Sequence, residues 1–248
     1  MRDLSFLPAN DASALAEVLA ALQRGLGEKL RSVLLVGAAV PPARHAGRCQ
    51  LELLVVVSDL HVAALSNLAR ELRGGPRFAV RLQVLTEREL LRAADVFTLE
   101  LADYRARHVL LHGQDPFGTL HYTGAELRGS IEHALRALAR RMREGVLSGA
   151  IADDPAAGDA FALVHGGIEL LGQVAPYALG LLGELAPSDE NALLTALARR
   201  AQVDASCLLG AVRLIREGNG LVGLGTLADV LEVVEATIAL VDTVGADS

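Results

Sequence analysis

KLRSVLLVGAAVPPARHAGRCQLELLVVVSD, residues 29–59, decides the fold. Two apolar runs, 33–36 and 51–57, flank a loop that holds Gly37, Pro41, Pro42 and Gly47. Both runs are rich in Val and Leu and stop at turn residues, the pattern of buried strands. Gly37 closes the first run, where the lack of a Cβ lets the backbone turn sharply and approach a ligand. The second run carries Glu52 near its start, an acid at the mouth of an otherwise oily strand.

Upstream, Asn10-Asp11 offers an N-cap for an amphipathic helix over 12–26, with Leu15, Val18, Leu19 and Leu22 at helical spacing. Downstream, Ser58-Asp59 offers a cap for a helix over 60–72, and RGGPR at 73–77 breaks it. Residues 78–86 read as a third strand, with Phe78, Val80, Leu82 and Val84 alternating with Ala79, Arg81 and Gln83. Thr86 and Glu89 form a capping-box pattern for a short helix to Ala94. A helix over 97–107, a short strand over 108–111 and the turn GQDPF at 113–117 close this half.

The character then changes. Residues 124–147, 159–185, 188–217 and 224–241 carry long helical periodicity, and the short breaks between them predict a helical bundle. Its Gly and Ala content permits close helix contact. The domain expectation is 1–120 followed by 121–248.

With 248 residues, the chain has room for one large or two medium domains. It is 52% hydrophobic but only 3% aromatic and lacks Trp, so Leu, Val and Ala must fill the core. A net charge of −7 argues against a nucleic-acid partner, which calls for a basic face. The small cluster Arg140-Arg141-x-Arg143 reads as a solvated helix face. Cys49 and Cys207 share no metal-type spacing, and with no signal-peptide pattern they read as reduced thiols of a cytoplasmic protein. The apolar segment 161–182 is interrupted by His165, Glu169, Gln173 and Pro176, so it predicts a buried helix rather than a membrane span.

The frame of 29–59 resembles the polymerase-β type of nucleotidyltransferase, whose signature is strand, Gly-Ser, loop, Asp-x-Asp, strand. Gly37-Ala38 falls on the Gly-Ser and Gln50-Leu51-Glu52 on the Asp-x-Asp. The segment ELADYRARHVLLHGQDPF, 100–117, resembles the end of the catalytic domain in bacterial members. The resemblance implies an α/β nucleotidyltransferase-like domain with a small mixed sheet, followed by an all-α helical bundle. That layout is similar to the antibiotic-modifying transferases, in which the helical part completes the acceptor site.

Nucleotidyl transfer uses carboxylates because Mg²⁺ ions must be held against a triphosphate, and Mg²⁺ takes oxygen ligands. Alternate residues of a strand share a face, so Gln50 and Glu52 stand side by side. A third carboxylate is expected on 78–86, where the polar residues are Arg81 and Gln83. One carboxylate, one neutral amide and one guanidinium make a poor Mg²⁺ site. The expectation is therefore a catalytically degenerate relative that binds a nucleotide or other phosphate and regulates. Glu52 is the candidate catalytic residue, Gly37, Ala38, Arg44, Arg48, Gln50 and Arg81 are the nucleotide-binding candidates, and no residue is assigned to a metal. The loop 38–48, with Arg44, His45 and Arg48, supplies positive charge and free amides for an anion. The pocket is expected between Gly37, this loop, Glu52 and strand 78–86, facing the helical domain.

Two alternatives stand beside this. One is an active transferase that uses Mg²⁺ and modifies a small molecule or protein. The other is a partner-binding helical module, a homo-oligomer surface on 192–214 or 224–241. Arg128-x₄-His133 matches a short pattern of helical ribonucleases but falls early in its helix, where chance accounts for it. His108, His112, His121 and His165 show no ligand spacing, and Asp153, Asp154 and Asp159 suffice as helix caps.

Overall fold

The structure, a computed structural model, describes residues 4–37, 40, 51–73, 80–92, 96–152, 160–217 and 222–244. The chain divides into two compact units, Met1–Tyr122 and Thr123–Ser248.

In the first unit the elements run α1 (Ala9–Leu26), β1 (Leu30–Val36), β2 (Leu51–Val57), α2 (Val62–Leu72), β3 (Val80–Thr86), α3 (Glu87–Arg92), α4 (Thr98–Ala106) and β4 (His108–Gly113). The strands form one sheet in the order β3-β2-β1-β4. β1 is antiparallel to both β2 and β4, and β2 is parallel to β3, so the sheet is mixed.

β1 and β2 are oily on both faces because both faces are covered. Leu15 and Leu22 of α1 and Leu68 of α2 pack with Val33, Leu35, Leu53 and Val55 on one face. Leu90 of α3, Leu101 and Tyr104 of α4, and Phe117 pack with Leu34, Val36, Leu54 and Val56 on the other. Leu34 and Leu54 are fully buried, and each such side chain contributes about 1.5–3 kcal/mol relative to exposure.

Two helix starts differ from the sequence expectation. α1 begins at Ala9 because the Pro8 carbonyl accepts from the amides of both Asp11 and Ala12, which draws Asn10 inside the helix. α2 begins at Val62, behind an extended His61, because the Asp59 carboxylate is held by Lys29 at 2.7 Å and faces His61 at 3.2 Å. The capping box is present: the Thr86 amide donates to Glu89 Oε2 at 2.7 Å and the Glu89 amide to Thr86 Oγ1 at 3.1 Å. β4 runs two residues beyond Leu111, to Gly113. Gly113 has φ +78, and a Cβ there would lie 1.7 Å from the Arg31 carbonyl oxygen.

The second unit is helical: α5 (Gly124–Ala152), α6 (Ala160–Leu181), α7 (Glu190–Arg200), α8 (Ala205–Glu217) and α9 (Leu224–Thr243). α5 packs on α9 and α6, and a Cβ on Gly167 of α6 would sit 3.0 Å from Val230 and 3.4 Å from Met142. The expected single helix over 188–217 is two. Gln202 takes a left-handed φ of 58, and Asp204 accepts from the Ser206 amide to start α8. α6 ends at Leu181, before a turn through Gly183 at φ +76, rather than reaching 185. The apolar segment 161–182 lies largely in α6, and no described helix is long and apolar enough to cross a membrane. Arg140, Arg141 and Arg143 are exposed, and Arg143 pairs with Glu235 of α9 at 2.8 Å. Asp153, Asp154 and Asp159 lie outside the described residues.

Candidate functional site

One row of residues crosses the sheet at the loop end of β1 and β2. The registers pair Arg81 with Glu52, Glu52 with Val36, and Val36 with His108. Paired residues share a face, so this row lies on the side of the sheet that α4 covers. It contains two of the residues the sequence singles out, Glu52 and Arg81, and ends beside a third, Gly37.

Glu52 is the centre. Its side chain is 18% exposed, and Oε1 accepts a hydrogen bond from the Tyr104 hydroxyl at 2.9 Å. The same oxygen lies 3.5 Å from Nη1 of Arg81, whose side chain is 63% exposed. Gly37 has φ +77, and a Cβ there would come within 3.0 Å of Glu52 Oε2. The glycine thus serves two needs, a left-handed turn after β1 and open space beside the carboxylate.

Tyr104 is buried and also lies 2.8 Å from Glu100 Oε1, one helical turn away on α4. A phenol has one proton, so it donates to one of these carboxylates at a time. Burial, followed by the negative charges of Glu100 and Glu52, pushes the Tyr104 phenol far above its ordinary range and keeps it protonated. The Tyr104 carbonyl faces Nδ1 of His108 at 3.0 Å, and Nε2 of His108 faces Asp115 at 3.2 Å. The end of α4 is fixed by a buried pair, Arg107 to Asp103 Oδ2 at 2.5 Å.

The structure therefore brings Gly37, Glu52 and Arg81 together. Ala38, Arg44, Arg48 and Gln50 lie outside the described residues, as does Cys49. Tyr104, Glu100 and His108 are the additions. The i, i+4 spacing of Glu100 and Tyr104 within a predicted helix carried the signal, because it places both on one helical face.

Magnesium is the ion the family resemblance implies, and the described donor set does not fit it. Glu52 Oε1 already accepts from a phenol and faces a guanidinium. The strand position beside it, where a third carboxylate is expected, holds Arg81. Among the described residues no group of three or more His, Cys, Asp or Glu side chains is placed to hold a metal ion. His112 lies 3.3 Å from Gln23 and His165 lies 3.5 Å from Glu169 beside Phe161, while Arg128 pairs with Glu132 and His133 is exposed.

A small mixed sheet sandwiched by helices, with a glycine turn facing an acid on the next strand and a helical unit following, defines the nucleotidyltransferase-like fold. Among solved structures, the chain is similar to spectinomycin adenyltransferase AAD(9) from Enterococcus faecialis, determined with ATP and spectinomycin. The TM-score is 0.60 at 14% identity, over 90% of this chain and 99% of that one. No protein-family model and no curated protein matches the sequence significantly.

Proposed function

We propose that this nucleotidyltransferase-like chain binds a nucleotide or another phosphate compound as a regulatory protein of the cytoplasm and does not carry out efficient transfer. The observation that carries this reading is the engagement of Glu52. A carboxylate that serves a metal needs free lone pairs directed at the ion and acidic neighbours that share the charge. Glu52 instead accepts from Tyr104 and stands beside Arg81. A guanidinium in that place repels a cation and attracts phosphate. The solved adenyltransferase that the chain resembles contains ATP, and this supports a nucleotide as the ligand class.

Calorimetric titration of the full chain with ATP, GTP, CTP and UTP tests the reading, each in EDTA and in Mg²⁺. The expected result is binding of at least one nucleotide with equal affinity in the two buffers. Binding only with Mg²⁺, followed by pyrophosphate release in the presence of an acceptor, would establish the active transferase instead. Absence of binding in every arm would remove the nucleotide from the proposal.

A further inference from the structure

We infer that Arg81 is the phosphate-contacting side chain of this site and that Glu52 is an internal anion competing for it. The inference deepens the nucleotide-binding reading and rests on it.

The two partners of Glu52 differ in kind. Tyr104 is 3% exposed and approaches the carboxylate from the buried side, under α4. Arg81 is 63% exposed and approaches the same oxygen from the solvent side at 3.5 Å. The buried phenol, whose one proton Glu52 shares with Glu100, reaches Glu52 whether or not Arg81 is present. The exposed ion pair is weak and exchanges its partner at little cost. Arg81 can therefore turn from Glu52 to an arriving phosphate, which it meets with two parallel N–H donors. Glu52 remains within reach of the Tyr104 hydroxyl.

The space that such a ligand needs is kept by Gly37. Any side chain at 37 would begin 3.0 Å from Glu52 Oε2. The ligand class is a compound with a terminal or bridging phosphate that arrives without a divalent cation, because Arg81 occupies the place a metal-binding carboxylate would take. Glu52 lowers the affinity of the site through its charge and through its hold on Arg81. In a metal-dependent transferase the same residue would raise it.

The test compares the wild-type chain with Glu52→Gln, Arg81→Gln and the double variant, titrated calorimetrically with ATP and with inorganic tripolyphosphate in EDTA. Thermal unfolding checks that each variant is folded. Glu52→Gln is expected to bind about tenfold more tightly, the order that removal of one nearby like charge produces at a part-exposed site. Arg81→Gln is expected to bind at least tenfold more weakly in either background. Tyr104→Phe supplies an independent arm. With the phenol gone, Glu52 holds Arg81 more strongly, and binding weakens.

If wild type binds and Glu52→Gln binds equally or more weakly, the competitor role is overturned while the nucleotide reading stands. If neither chain binds either probe, both fall. If only Glu52→Gln binds, the competitor role holds and the nucleotide reading of the wild-type chain falls. If Arg81→Gln binds as wild type does, Arg81 is not the contact and the inference fails.

Discussion

Replacing Tyr104 by Phe removes one oxygen from the centre of the site and leaves the ring in its packing. The hydroxyl lies 2.9 Å from Glu52 and 2.8 Å from Glu100, which suggests two hydrogen bonds. Only one proton is present, so the energy is that of one bond to a charged acceptor, about 1.5–3 kcal/mol. Glu52 and Glu100 keep some access to water and recover part of that on losing the phenol, so the lower end applies. A loss of about 1.5 kcal/mol lowers Tm by roughly 4–9 °C for a unit the size of Met1–Tyr122. Far-UV circular dichroism is the assay, because the chain has no Trp to report by fluorescence. Glu100→Gln is the control. Its amide can donate to the phenol oxygen, which leaves the phenol proton for Glu52 and makes the chain of bonds directional. That variant is expected to match or exceed wild-type stability. A Tyr104→Phe variant within about 1 °C of wild type, or a Glu100→Gln variant less stable than Tyr104→Phe, would refute the one-proton account.

Stability should also fall on the alkaline side. The folded-state pKa of Tyr104 is raised by burial and by its two carboxylate neighbours, whereas an unfolded tyrosine ionises near ~10. The contribution is complete below that pH and is lost as the pH climbs above it, because the unfolded chain releases the proton first. Urea midpoints of wild type and Tyr104→Phe should converge above about pH 10; parallel decline to pH 11 would count against it. Gly113→Ala should cost more than about 2 kcal/mol. A Cβ there meets the Arg31 carbonyl oxygen at 1.7 Å and φ is +78, so the β1–β4 edge must part. Urea denaturation giving a loss under about 1 kcal/mol would mean the edge yields freely. Asp103→Ala strands Arg107, which is 8% exposed, and should cost about 3–5 kcal/mol by the same measurement. Adding Arg107→Met should restore part of it, and no recovery would show that the charge is not what hurts.

Much of the first unit was legible because its strands are simple. The runs 33–36 and 51–57 contain little but Val and Leu, and only a doubly covered sheet needs that. The third strand and the Thr86–Glu89 box followed from alternation and from a side-chain pattern that satisfies helix-end amides. The same pattern recurs at Thr123 and Glu126, where the Thr123 amide donates to Glu126 at 2.6 Å. The helix starts at Ala9 and Val62 were misplaced because a residue that can cap need not do so. Asp59 was committed to Lys29 across the sheet, a contact 30 residues apart that no local pattern displays. The break at Gln202 is likewise a matter of backbone conformation in a residue with no special preference for it. At the site, strand alternation was enough to put Arg81 near Glu52. It could not reveal Tyr104, because whether a helix lays its hydroxyl over a strand depends on the packing of Leu101, Leu90 and Phe117 between them.

Packing and charge are separated in this sheet. Leu34, Leu54, Val55 and Val56 are fully buried in the middle of the sheet and supply its stability. Arg81 is exposed near its strand end, where a change of charge costs the fold about 1 kcal/mol or less. At 14% identity to the solved adenyltransferase this chain has a similar fold, and its row pairs Arg81 with Glu52. Likeness of fold then reports on the buried residues, and the ligand must be argued from the charges at the rim. Among the described residues, those charges include Glu52, in reach of a buried phenol, and the exposed guanidinium of Arg81, paired with Glu52. The proposed exchange of one anion for another rests on that pairing.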